Sequence, residues 1–280
     1  MCLSSCRLVR FTLSSLHQSI VCDCCEIDSS FVYIPIIIVI TPTPTTVTEV
    51  PYESQTELFR LIGRKDYAQA EARLLEAPHE AKVWIVTRYK GGSLVGNDND
   101  DTIIWYRRLS LHHACGQKQC PLSFIQALIV VYPEALLLRD ETGKVPLIHA
   151  CRRDTSLDIV KQVLTEETAK MVDHEGKAAL HWACEYRASL VKVKLLVETA
   201  REVLEMTDTY GRLPLHWECS VVSDRIDKVP VVKYLVGKYP RGVNVKDNDG
   251  KTPLQMIDLN EVFDFLNATQ ESLVLLDGHE

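Results

Sequence analysis

The chain has 280 residues, of which 46% are apolar and 25% charged, and a formal net charge of −7. That balance suits one long or two ordinary globular domains, and its mild acidity lacks the polybasic signature of a protein built for nucleic acid or an anionic membrane surface. Ten cysteines would indicate a secreted disulfide scaffold only in a much shorter chain, and five of them (Cys2, Cys6, Cys22, Cys24, Cys25) crowd into the first 25 residues.

Residues 1–50 read as a disordered leader that ends in an extended linker, TPTPTTVT at 41–48. The apolar run Phe31–Ile40 is ten residues long and carries Pro35, far short of the ~20 residues needed to span a bilayer. Asp23, Glu26 and Asp28 precede it, which fits a secretory signal poorly, whereas residues 1–22 carry Arg and Ser but no acid and leave organelle targeting open. A mis-assigned start is a further alternative. The Cys22-Asp-Cys-Cys25 group with Cys2 and Cys6 has thiolate-cluster composition but no second Cys-x-x-Cys at finger spacing.

Residues 51–106 are expected to form a divergent N-terminal repeat or cap with a polar loop, because 54–76 followed by Pro78 has the pattern of a helix pair. From residue 107 onward a period takes over. LSLHHAC (109–115), VPLIHAC (145–151), AALHWAC (178–184) and LPLHWEC (213–219) align, followed by a decayed TPLQMID (252–258). Their cysteines, Cys115, Cys151, Cys184 and Cys219, are 36, 33 and 35 residues apart. Asp-x-x-Gly keeps the same period at Asp140–Gly143, Asp173–Gly176, Asp208–Gly211 and Asp247–Gly250.

Each unit can be read physically. Asp bonds its own backbone in a turn and Gly supplies positive φ. Pro146, Pro214 and Pro253 sit where a first helical turn tolerates a missing N–H, and the small Ala114, Ala150 and Ala183 allow a close helix neighbour. A second helix then carries apolar residues at i, i+3 and i+4, as in Val193, Leu196 and Val197. Neither helix buries its stripe alone, so neighbouring units must stack.

Turn, helix, helix at about 33 residues with a TPLHxA(A/C)-like signature resembles the ankyrin repeat. The resemblance covers 107–280, with a C-terminal cap from Asn260, and implies an all-α solenoid of five to six ankyrin repeats with short turn or hairpin fingers. It also implies a non-catalytic protein–protein interaction module, an adaptor or scaffold working through its concave surface. The signature departs from the family at several points. The helix-start Thr survives only at Thr252, the signature His becomes Ile148 and Gln255, and Glu218 replaces the small Ala. The fourth clear repeat, stretched through SVVSDRIDKVP, is therefore expected to be the weakest link.

Candidate chemistry is sparse. His112/Cys115, His181/Cys184 and His216/Cys219 have metal-ligand spacing along a helix. Stacked helices lie roughly 8–10 Å apart, too far for ligands of successive units to converge within ~2 Å of one metal, so turn-bonding histidines and buried, reduced cysteines are expected instead, with no metal or other cofactor. Reduced cysteines favour a cytoplasmic or nuclear setting. No G-x-S-x-G, H-E-x-x-H or P-loop pattern is present, which argues against an enzyme. Asn267-Ala-Thr269 is a weak glycosylation match.

The surface remains. The residue after each turn Gly is basic (Lys144, Lys177, Arg212, Lys251), so stacking predicts one basic column, either part of a binding face or solvated charge that keeps the array soluble. Beside it fall Arg152, Arg153, Glu185, Tyr186, Arg187 and Tyr210, and Tyr and Arg are frequent interface anchors. These ten residues form the expected partner-binding strip, while Trp182 and Trp217 are expected in the core. The expected partner is a protein, bound by a monomeric chain without nucleic acid or a membrane span. Two alternatives stay open: a targeting or regulatory subunit of an enzyme complex, and a metal or redox sensor using the N-terminal cysteines.

Overall fold

A computed structural model describes residues 48–90, 102–152, 155–220, 228–257 and 263–270. The expectations placed on residues 1–47, including the targeting segment and the cysteine cluster, lie outside the described residues. The leader expected to run through residue 50 is already structured before that point. Glu49–Pro51 forms strand β1, which pairs in parallel with β2, Trp84–Lys90, and β2 pairs antiparallel with β3, Thr102–Arg108.

This small sheet is the main departure from the all-helical expectation. WIVTRYK and TIIWYRR are rich in β-branched and aromatic residues, which fit a pleated surface better than a helix. Between β1 and β2 lies the helix pair α1, Glu57–Arg64, and α2, Tyr67–Glu76. Thr56 and Asp66 cap these helices by accepting the amides of Phe59 and Gln69, each satisfying one orphan N–H. The connecting residue Lys65 takes φ 63°, a left-handed cap.

The remaining helices fall into pairs: α3 (Ser110–Cys115) with α4 (Leu122–Val131), α5 (Pro146–Arg152) with α6 (Leu157–Val163), and, after the short α7 (Glu166–Lys170), α8 (Ala179–Glu185) with α9 (Leu190–Thr199). The pair α10 (Pro214–Ser220) and α11 (Lys228–Lys238) follows, then a 3-10 turn at Pro253–Met256 and a helix at 263–270. First helices stack in one column, α1, α3, α5, α8, α10 and the 253–256 turn, and second helices in another, α2, α4, α6, α9 and α11. Between the columns runs one continuous apolar core from Leu58 to Leu266, with Ala114, Ala150 and Ala183 fully buried where first helices meet.

Cys115, Cys151, Cys184 and Cys219 lie in that core as free thiols. Burial pushes Cys151 up to about 12 and Cys115 and Cys184 well above the usual thiol value, so these groups are held protonated. Glu218, in the position of the small Ala, is buried, and its carboxylate hydrogen-bonds the Cys184 thiol. The stretch that follows it is outside the described residues from 221 to 227.

The four turn glycines have φ of +81°, +74°, +72° and +77°. A Cβ on Gly176 would also meet the Thr209 amide of the next turn at 3.0 Å, whereas Gly237, on α11, has no atom within 4 Å of one. Two Gly→Ala substitutions should therefore have opposite signs. Gly176→Ala is expected to cost at least about 1 kcal/mol and Gly237→Ala to gain roughly 0.5–1 kcal/mol in urea unfolding of the full chain.

Candidate partner-binding face

One carboxylate organises each finger. The Oδ1 atoms of Asp140, Asp173, Asp208 and Asp247 accept two amides apiece, from the residues two and four positions on, at 2.8–3.0 Å. The amide of each Asp donates back to the carbonyl of Lys144, Lys177, Arg212 or Lys251, which closes the loop. Oδ2 is left for the following helix: Trp182 Nε1 donates to Asp173 and Trp217 Nε1 to Asp208, both at 2.8 Å. His149 occupies the Trp slot one unit earlier and reaches Asp140 Oδ2 at 2.6 Å. Burial alone would raise Asp140, but the bonds from His149, Thr142 and the Lys144 amide override it and hold its carboxyl well below the usual range.

The fingers also bind one another. The amides of His174, Thr209 and Asn248 donate to the carbonyls of Thr142, Glu175 and Tyr210 in the preceding finger, at 2.9–3.0 Å. The base of the β2–β3 hairpin joins this row as its first member, because the Arg107 amide donates to Glu141 Oε2 at 3.0 Å and Arg108 pairs with Asp140 and Glu141. Lys144 then lies 3.6 Å from Asp173, and Arg212 3.1 Å from Asp247.

These contacts bury the first two members of the basic column. Lys144 and Lys177 are only 6% and 3% exposed. Lys144 lies over the Trp182 ring at 4.7 Å, and Lys177 bridges Trp182 and Trp217 at 4.6 and 3.6 Å. Burial works to lower Lys177, yet hydrogen bonds to Glu185 and Glu175 hold its pKa above the ordinary value. A long side chain stacked between indoles and anchored by carboxylates adds to the packing of the joint and is hidden from a partner. Trp182 is buried as expected, and Trp217 is half-buried.

Part of the predicted strip does reach solvent. Tyr186 is 42% exposed and stacks on Trp182 with centroids 5.4 Å apart. Arg187 beside it is exposed and holds a left-handed φ of 59°. Tyr210, 50% exposed, sits at the tip of the adjacent finger with the Arg212 guanidinium 5.7 Å from its ring. Arg212 and Glu185 are half-buried, the former shared between Asp247 and Asp249 and the latter bonded to Lys177, while Lys251 is exposed. The side chain of Arg152 and all of Arg153 lie outside the described residues. Sequence reasoning missed the hairpin base, Arg107 and Arg108, and the fingertip residues Glu141 and His174. For Glu141 and His174 the available signal was their turn position, one residue after the Asp.

The signature histidines tie units together. The amides of Leu109, Ala178 and Leu213 donate to Nδ1 of His112, His181 and His216, which places the ring proton on Nε2. From there His112 donates to the Leu138 carbonyl, His181 to those of Met206 and Arg212, and His216 to those of Val245 and Lys251, at 2.9–3.3 Å. Where Ile148 replaces His, Arg139 donates to the Val172 carbonyl across the same joint. Among the described residues no group of three or more His, Cys, Asp or Glu side chains is placed to hold a metal ion.

Burial pushes His112 down to about 3, His181 down to about 4, and His216 below its ordinary value. Each is neutral in the fold and takes up a proton in the unfolded chain below about pH 6.5, so its stabilisation is complete above that pH and is lost as pH falls from about 6.5 towards 4 and 3. His181→Gln, which keeps an acceptor for the Ala178 amide as Gln255 does for Thr252, should remove about 1.4 kcal/mol per pH unit from the slope of unfolding free energy between pH 6 and 4.5. At pH 7.5 it should cost about 1–3 kcal/mol, because two carbonyls lose their donor. Urea titrations of parent and variant across that range measure both effects.

Residues 111–205 match the family of ankyrin repeats in three copies. No curated protein is significantly similar to the chain.

Proposed function

We propose that this ankyrin-repeat protein is an adaptor or scaffold whose protein partner lies across Tyr186, Arg187 and Tyr210, with Glu185, Arg212 and Lys251 at the margin. Ankyrin repeats are protein–protein interaction modules and are typically non-catalytic. No described helix is long and apolar enough to cross a membrane.

The observation that carries the choice of face is the contrast between its aromatic residues. Trp182 and Trp217 are tied to the turn aspartates by their indole N–H groups, whereas Tyr186 and Tyr210 project from the same two units into solvent. Tyr186 is held on a buried indole and Tyr210 on a bonded turn, so both offer large contact area at small cost in conformational entropy. Arg187 stays in a left-handed conformation that favours glycine, a cost of about 1 kcal/mol, and a residue kept under strain beside exposed aromatics suits a contact role.

The test compares the full chain with its Tyr186→Ala/Arg187→Ala/Tyr210→Ala variant. The variant is expected to unfold within about 1 kcal/mol of the parent, since surface side chains contribute little to the fold. A partner captured from native lysate by the parent should be lost or bound at least about 30-fold more weakly, equivalent to roughly 2 kcal/mol at a hot spot. Equal affinity would move the site to another face, and a folded parent that captures nothing would count against the adaptor reading.

A further inference from the structure

The sheet at the head of the finger row has two edges, and they are finished differently. On the β1 side the Trp84 amide donates to the Thr48 carbonyl, and β1 closes with Pro51, which has no N–H to offer a further strand. On the β3 side the Arg107 amide leaves the sheet for Glu141 Oε2. Register fixes which groups of β3 beyond that point turn outward. Along β2 the backbone groups alternate between its two neighbours, so those of Trp84, Val86, Arg88 and Lys90 face the β1 side. In an antiparallel pair, a residue whose groups face away from its neighbour sits opposite one that does the same. Val86, Arg88 and Lys90 pair with Arg107, Ile104 and Thr102, and the Arg107 amide obeys the rule. The N–H and C=O groups of Ile104 and Thr102 therefore point out from the edge, and none of them has a backbone partner among the described residues.

We infer that Thr102–Ile104 is a docking edge for an extended segment of a protein partner, which adds to the sheet as a fourth strand. Outward N–H and C=O groups on alternate residues call for an occupant that presents the matching groups at the same spacing, and only a strand does so. Two features select a short flexible segment over the edge of a folded sheet, a second copy of this chain included. The register shift between Thr87 and Arg88 is a bulge just below the open groups, and a bulge twists an edge away from long, flat edge-to-edge pairing. Glu141 stands against the same edge at Arg107, so an added strand must end before the first finger. A peptide can enter and leave within that length, whereas a rigid sheet would carry its other strands into the finger. Recognition here is by main chain, so it tolerates many sequences that are free of proline. The edge does not depend on the tyrosine face and offers a partner a second contact.

The test selects a displayed library of random peptides on the full chain and follows amide hydrogen exchange with the enriched peptide, made synthetically. In the free chain the Thr102 and Ile104 amides should exchange several-fold faster than that of Ile103, whose groups face β2. Bound peptide should slow both several-fold, a reading that needs no variant. Ile104→Pro and Thr102→Pro each delete one outward N–H where an edge strand tolerates proline, and each should weaken the peptide about ten-fold with little change in urea midpoint. The Tyr186→Ala/Arg187→Ala/Tyr210→Ala variant should bind it as the parent does, which separates this edge from the tyrosine face. Slow exchange of both amides in the free chain would overturn the proposal, and a dependence of that protection on protein concentration would identify a second copy as the occupant. A library that yields no peptide protecting these amides, or proline variants that fold and bind unchanged, would also overturn it.

Discussion

The rest of the structure depends on a buried carboxylate that spends each oxygen differently. In a tight turn several amides converge with no helix or strand to receive them, and an unpaired buried amide costs as much as a lost hydrogen bond. The turn Asp takes two of these amides on one oxygen and offers the other to an indole or imidazole from the next helix. Finger and helix are thereby locked at a fixed angle. That angle brings the turn Gly of one unit against the next turn, and brings each signature His to the carbonyls of the next unit.

Backbone bonds between turns set the fingers in a row, and a cation at each joint reinforces them. Burying an ammonium is costly unless it is paired and hydrogen-bonded. Lys177 satisfies that condition with Glu175 and Glu185 and with the faces of two indoles, and Lys144 with Asp173 and Trp182. Lys144, Lys177 and Arg212 therefore belong to the joints between units, which leaves Tyr186 and Tyr210 as the exposed aromatic residues beside them.

Much of this was legible in the sequence, because the repeat is a local rule applied several times. Asp-x-x-Gly fixed the turns, Pro146 and Pro214 the helix starts, and the Cys spacing the period. Exposure was not legible, since a Lys at a fingertip and a Lys clamped between two tryptophans are the same letter at the same turn position. Only knowing that Trp182 and Trp217 point at the turns separates the two cases. The sheet was missed for a different reason. Glu49–Pro51 is too short to carry a period, and β2 and β3, eleven residues apart in the sequence, carry no local signal that makes them partners. The Glu218 position was legible as an anomaly, but its contact with the Cys184 thiol depends on how α8 and α10 meet.

The histidine ties and the cation ties both point towards the C-terminus. His112 reaches the carbonyl of Leu138, His181 that of Met206, His216 that of Val245, and the cations follow the same sense. The array is thus a vector, and its two ends fail differently. Pulled apart from the C-terminal end, each departing unit strands a neutral imidazole and a cation that had been buried, so the electrostatic cost falls on the part still folded. Peeled from the N-terminal end, the departing unit takes its imidazole and cation with it into water and leaves on the remainder the carbonyl and turn carboxylate that they had served. Fraying from the two ends should accordingly carry different free-energy costs.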